Sequence, residues 1–189
     1  ESFPACKLVH IDVMHGHFVP QRTVSFHALQ KTRTRLDYEL HLMVQEPERI
    51  ISHFLKTKAS RIVVHHEASV HLVKLLLCMR ESKIKTAVAL NPDTPISVLR
   101  QYLGLVDMFV LLAVFPGSYG GDFQTKTYHR IRQVKKLYPT LPLEIDGGVS
   151  QKNIKKLVAA GADLLCVGSK IFQTENPKEA YTALQRLLV

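Results

Sequence analysis

Residues 143–150 read Leu-Glu-Ile-Asp-Gly-Gly-Val-Ser, and this stretch decides the fold. A short apolar run, Leu143 to Asp146, ends on a carboxylate and two glycines. A segment of helical period follows from Gln151 to Ala160, with Ser150 placed to cap its start and Gly161 to end it. A second apolar run, Asp163 to Gly168, finishes on another glycine. Strand, helix and strand at this spacing make a parallel βα unit. Glycines after two successive strands supply bare backbone where barrels commonly build a phosphate site.

Working outward, the same alternation fills the chain. Strands are predicted near Lys7 to Met14, Asp37 to Met43, Arg61 to Glu67, Lys85 to Leu90 and Met108 to Val114, besides the two above. Helices are predicted near Ser25 to Lys31, Pro47 to Lys56, Val70 to Glu81, Ile96 to Leu103, Lys126 to Tyr138 and Pro177 to Leu188, with Glu46-Pro47 and Thr94-Pro95 opening two of them. Strict alternation leaves an open doubly wound sheet or a closed barrel. An open dinucleotide fold would carry a GxGxxG turn after its first strand, but the residues after Met14 read His-Gly-His-Phe-Val-Pro. The expected fold class is therefore α/β, a (β/α)8 TIM barrel with seven of its eight units readable.

Seven units are one fewer than closure requires, and an unclosed barrel would expose two strand edges. The expectation is a single barrel domain over residues 1–189 whose first strand and helix are absent by truncation or divergence, since the chain begins almost on a strand. A partner chain covering the gap is the alternative. No composition break or Gly/Ser linker marks a second domain.

The 189 residues carry a formal net charge of +9 and 46% hydrophobic residues. Such a charge suits nucleic acid, an acidic membrane or small anions such as sugar phosphates. The densest basic group, Lys31, Arg33 and Arg35, is interrupted by threonines, and aromatic platforms for bases are missing, so nucleic acid is not expected as a partner. No apolar run approaches the ~20 residues of a membrane span and no export signal opens the chain, which leads us to expect no membrane partner and a cytoplasmic protein. Cys6, Cys78 and Cys166 form an odd, widely spaced set that fits free thiols.

Alternation along a strand places His10, Asp12 and Met14 on one face of the first run and Val9, Ile11 and Val13 on the other. The second run repeats this with His41 and Met43 opposite Leu40 and Leu42, and Asp146 ends the run quoted first. Imidazoles and carboxylates inside a barrel need partners, because burying them alone is costly. Two His and two Asp make a plausible mixed N/O site for one divalent metal ion: zinc, iron, manganese or cobalt. Each of these side chains can instead be a hydrogen-bonded core residue, Met14 and Met43 can be apolar wall, and His65 with Glu67 can be a satisfied pair behind the site.

The sequence 10–20, His-Ile-Asp-Val-Met-His-Gly-His-Phe-Val-Pro, resembles the HxDxMDGxFVP signature of ribulose-phosphate 3-epimerases, and His41-Leu-Met-Val44 resembles that family's HLMV segment. The resemblance runs on through residues 64–68, 89–95, 116–121, 144–149 and 167–169, in order. It implies the barrel fold and a metal held by His10, Asp12, His41 and Asp146. It further implies that Asp12 and Asp146 are the acid/base pair on opposite faces of a ketose phosphate, with the metal stabilising an enediolate at C3. Met14 and Met43 would line the sugar pocket. The phosphate would meet backbone N–H groups around Gly147, Gly148, Gly168 and Ser169, helped by Gly117, Gly120, Gly121 and a short helix after Ser169. Kinship also implies a homo-oligomer.

The resemblance has departures. His15 replaces the Asp of the family's MDG triplet, Ser118-Tyr119 stands in the PGFGG loop, Leu112-Ala113 replaces a usual methionine, and His66 occupies a position that is normally apolar. These keep two alternatives open: a hexulose 6-phosphate epimerase, and a catalytically impaired relative that binds sugar phosphates or acts as a scaffold.

Overall fold

The computed structural model describes residues 6–32 and 34–188. They pack as two compact units, one of Cys6–Leu90 with Ser97–Asp107, the other of Asn91–Ile96 with the residues from Met108 onward.

The first unit holds β1 (Leu8–Met14), α1 (Phe26–Lys31), β2 (Asp37–Met43), α2 (Ile51–Phe54), β3 (Arg61–His65), α3 (Leu72–Glu81) and β4 (Lys85–Leu90). Its strands pair in parallel and in chain order. The register sets His10 opposite Glu39, Asp12 opposite His41 and Met14 opposite Met43. The face of β2 and β3 carrying Leu40, Leu42, Ile62 and Val64 is fully buried. Leu72, Leu75, Leu76 and Met79 recur at three- and four-residue steps, which places them on one buried face of α3. Each such side chain contributes roughly 1.5–3 kcal/mol by leaving water. β1 ends the strand order and is only half-buried from Leu8 to Asp12.

The second unit holds β5 (Met108–Leu112), α4 (Thr127–Leu137), β6 (Leu143–Asp146), α5 (Ile154–Ala160), β7 (Leu164–Cys166), α6 (Ser169–Phe172) and α7 (Pro177–Gln185). Here too the pairing is parallel, with Asp146 between Leu112 and Cys166. Ile131 and Val134 of α4 and Ile154 and Leu157 of α5 are buried, and the two helices are in contact.

Several predicted boundaries shift for local reasons. The expected helix from Pro47 breaks into a 3-10 turn, Pro47–Arg49, and the short α2, because Ile50 leaves helical geometry at φ −125° and ψ −7°. Ile96–Tyr102 is a 3-10 helix, in keeping with the poor α-propensity of Ile-Ser-Val at its start. Ser150 does not cap α5 with its side chain: Asn153 occupies the N-cap, and its side-chain Oδ1 accepts from the Ser150 N–H at 2.8 Å. Ser25 caps α1, and Gly161 ends α5 as predicted for it. None of Cys6, Cys78 and Cys166 is in a disulfide. Among the described residues no helix is long and apolar enough to cross a membrane.

Candidate metal centre and phosphate loops

In the first unit the parallel register of β1 and β2 gathers three of the predicted ligands. Asp12 Oδ1 lies 3.2 Å from His10 Nε2 and 3.2 Å from His41 Nδ1, and the two ring nitrogens are 3.1 Å apart. Two ligand atoms held about 2.0–2.1 Å from one cation are separated by roughly 3.0–3.4 Å, so this triangle fits a divalent ion. The donor set, two imidazoles and a carboxylate, suits the borderline metals expected. Asp146 ends β6 in the second unit.

Both imidazoles are also held by partners away from the triangle. His10 Nδ1 donates to Glu39 Oε1 at 2.9 Å, and Glu39 Oε2 accepts from Arg61 Nε at 2.7 Å. His41 Nε2 meets His65 Nε2 at 2.8 Å, and His65 Nδ1 faces Glu67 Oε2 at 3.3 Å. Burial would raise the Asp12 carboxyl, but hydrogen bonds and positive charge from His10 and His41 outweigh it and hold the group well below the usual carboxylate range. Burial likewise opposes ionisation of Glu39, yet His10 and Arg61 bring it down to about 2. Both carboxylates are ionised at neutral pH. Asp12 turns Oδ1 to the two imidazoles and remains 37% exposed at its side chain, which leaves Oδ2 open to a ligand. Met14, Met43 and Val19 form a small buried apolar cluster with Phe18 packed against it.

The predicted phosphate residues all lie in the second unit. Gly147 and Gly148 have φ of +94° and +66°, and a Cβ on Gly147 would come within 2.3 Å of Val114 Cγ2. Only glycine fits that turn. Asn153 pins it, donating to the Gly148 carbonyl at 2.9 Å. The loop from Gly117 to Gly121 comes against the turn that opens α6. A Cβ on Gly168 would meet the Tyr119 ring at 3.3 Å, and one on Gly120 would lie 3.9 Å from Ser169 Oγ.

Comparison with known proteins matches residues 3–172 to the ribulose-phosphate 3-epimerase family. The chain belongs to that family. Ribulose-phosphate 3-epimerase of Bacillus subtilis (strain 168) is 35% identical over 184 residues, 94% of this chain and 85% of that protein. The Escherichia coli (strain K12) protein of the same name is 35% identical over 179 residues, covering 91% and 80%. Among solved structures, a 3-hexulose-6-phosphate synthase superposes with TM-score 0.68 at 13% identity, covering 96% of this chain and 99% of that one. Phosphoribosyl anthranilate isomerase from Thermococcus kodakaraensis gives 0.66 at 17% identity, covering 95% and 88%. These likenesses show the fold, an α/β barrel of the TIM type, and family membership makes the chain an isomerase of the epimerase kind.

Two of the departures from the epimerase pattern, His15 and His66, have partners nearby. His15 bridges to Arg22 and lies 6.4 Å from the Phe54 ring. Burial, then the charges of Arg22 and His17, lower its pKa, so it is neutral at neutral pH. His66 Nδ1 meets the Tyr102 hydroxyl at 2.7 Å. Tyr102 is 2% exposed, and burial with the Glu67 charge raises its pKa to about 12. Glu67 is not a strand residue, since β3 stops at His65 and a 3-10 turn, His66–Ala68, carries it. Sequence reasoning missed Glu39 and Arg61. The available signal was Glu39 standing two residues before His41 on the same strand face.

Proposed function

We propose that this epimerase interconverts D-ribulose 5-phosphate and D-xylulose 5-phosphate by moving the proton at C3, within a single barrel domain. The observation that carries the reading is the triangle of His10 Nε2, Asp12 Oδ1 and His41 Nδ1, with edges of 3.1–3.2 Å, in a chain of this family. His10, Asp12, His41 and Asp146 would hold a divalent ion, zinc, iron, manganese or cobalt. When bound it supplies the positive charge that makes the proton next to the substrate carbonyl acidic enough to leave.

The remaining work belongs to the side chains. Asp12 is ionised and presents Oδ2 as a base. Asp146 would serve the opposite face of the sugar, one carboxylate taking the proton and the other returning one. Met14 and Met43 would keep the sugar pocket apolar and exclude water. Gly117, Gly120, Gly121, Gly147, Gly148, Gly168 and Ser169 would present backbone N–H groups to the phosphate, which a Cβ at Gly147 would obstruct.

Asp12→Asn and Asp146→Asn should each lower kcat by at least ~10³-fold while the folded spectrum is kept, since a positioned base contributes about 10²–10⁴-fold. The check is incorporation of deuterium at C3 from deuterated water together with pentulose phosphate interconversion. Activity at the wild-type level in either variant rejects the assignment. Exchange with a hexulose 6-phosphate and none with the pentulose would move the substrate to the larger sugar.

A further inference from the structure

Thr23 follows the loop that leaves β1, and its hydroxyl is bonded in two directions. It donates to the Asp12 carbonyl at 2.6 Å and accepts from the Met14 N–H at 2.9 Å, while the Thr23 N–H donates to the Met14 carbonyl at 3.2 Å. In an extended strand the N–H and C=O of one residue point to the same side, and residues two apart share that side. Asp12 and Met14 therefore turn their backbone groups to one edge of β1, where Thr23 meets them. β1 ends the strand order, so no strand among the described residues lies along that edge.

An edge strand presents unpaired N–H and C=O groups. A neighbouring strand would offer them one acceptor and one donor, and a hydroxyl carries both on a single atom. The same period of two puts the side chains of Asp12 and Met14 on the face that carries His10. Thr23 thus clasps the backbone of the two residues that give the triangle its carboxylate and the apolar cluster one of its methionines.

The clasp also closes the loop 15–22 on itself, together with the antiparallel bridge of His15 with Arg22. Gly16 turns that loop at φ +83°, with Arg22 Nε 3.1 Å from where a Cβ would stand. From the closed loop Phe18 brings its ring centroid to 4.8 Å from that of His65, and Val19 joins Met14 and Met43 in the buried cluster. Loop and strand end are pinned together at Thr23.

We propose that Thr23 is a positioning residue: its hydroxyl stands in for a neighbouring strand at the end of β1, fixing where Asp12 presents its carboxylate and holding Phe18 and Val19 in place. The catalytic consequence rests on Asp12 being a base, as read under Proposed function; the clasp itself rests on the three bonds. Misplacing a reacting group by about 1 Å can cost about 10²-fold in rate, so loss of the clasp is read chiefly in kcat. The residues assigned to the phosphate lie in the second unit, and KM should move less.

Thr23→Val keeps the outline of the side chain and removes the hydroxyl, whereas Thr23→Ser keeps the hydroxyl. Thr23 is exposed, so neither change empties the core, and Thr23→Ala takes the place of Thr23→Val if that variant does not fold. With the full chain, at a temperature where circular dichroism shows it folded, Thr23→Val should lower kcat for D-ribulose 5-phosphate by about 10–100-fold. Thr23→Ser should return kcat close to wild type. Amide hydrogen exchange at Met14 gives a readout that needs no turnover. It should quicken about fivefold or more in Thr23→Val, the worth of one lost hydrogen bond, while the amides of β3 keep their rates. In Thr23→Ser it should match wild type. Wild-type kcat in Thr23→Val, or a Thr23→Ser as slow as Thr23→Val, overturns the positioning role, and unchanged exchange at Met14 overturns the clasp. A wild type that does not move the C3 proton would reject the reading under Proposed function instead, and exchange at Met14 would then decide the clasp alone.

Discussion

Tyr102 shows how a single side chain ties stability to pH. Its hydroxyl is buried beside Glu67 and bonded to His66 Nδ1, and its pKa rises from 10.0 to about 12. A group whose folded pKa is raised stabilises the fold fully below its unfolded pKa and loses that contribution as pH climbs toward the folded one. Urea unfolding should therefore find wild type losing stability between pH 10 and pH 12 more steeply than Tyr102→Phe. Equal slopes for the two proteins would show that the hydroxyl does not carry the effect. Glu39 behaves differently, because its removal takes away the bonds its buried carboxylate makes to both His10 and Arg61. Glu39→Ala should cost about 3 kcal/mol in chemical denaturation, as expected when one partner of a buried ion pair is lost. The ligand-type residues His10, Asp12 and His41 were legible from alternation along two strands. Glu39 was not, because an acidic residue two positions from a histidine is unremarkable until the neighbouring strand shows which imidazole it faces.

At the scale of elements, the turn from β6 to α5 links the fold to the site. Asn153 is 8% exposed and ties the Ser150 N–H to the Gly148 carbonyl, so it holds the two positive-φ glycines in place. Asn153→Ala removes both bonds at about 1 kcal/mol each. The expected result is a loss of roughly 2 kcal/mol in stability and a raised KM for the sugar phosphate with kcat less affected; an unchanged KM would detach this turn from phosphate binding. Gly161 at φ +113° is the left-handed end of α5, and its Cβ would press on Lys135 Cγ at 2.9 Å. The ends of β4 and β6 were readable because the apolar runs stop there against Asn91 and Gly147. The Pro47 and Ile96 helices were not: proline-led segments with β-branched residues satisfy both α and 3-10 hydrogen bonding, and packing chooses between them.

For the molecule as a whole, a ligand that binds the folded chain and not the unfolded one stabilises by RT ln(1 + [L]/Kd). Titration with Zn2+ or Mn2+ should raise Tm, and a chelator should return it to the metal-free value. At 100 times Kd the gain is about 2.7 kcal/mol. The shift should vanish in His41→Ala, and a persistent shift in that variant would place the ion elsewhere. Core packing gives an independent measure. Leu76, fully buried in α3, should cost about 2–5 kcal/mol as Leu76→Ala, through lost transfer energy and the cavity left behind.

The periodicity of the chain was sufficient for a parallel α/β architecture, because alternation by twos and by 3.6 is a local property that each segment carries on its own, and the glycine positions pointed from there to the barrel. The quoted motifs were sufficient for the epimerase family. Only the tertiary structure decided that His10 faces Glu39, that Asp12 stands opposite His41, and that His65 with Glu67 lies behind His41. A period of two says which face a side chain takes, whereas its partner is chosen by the register between strands, a non-local pairing that no single segment encodes.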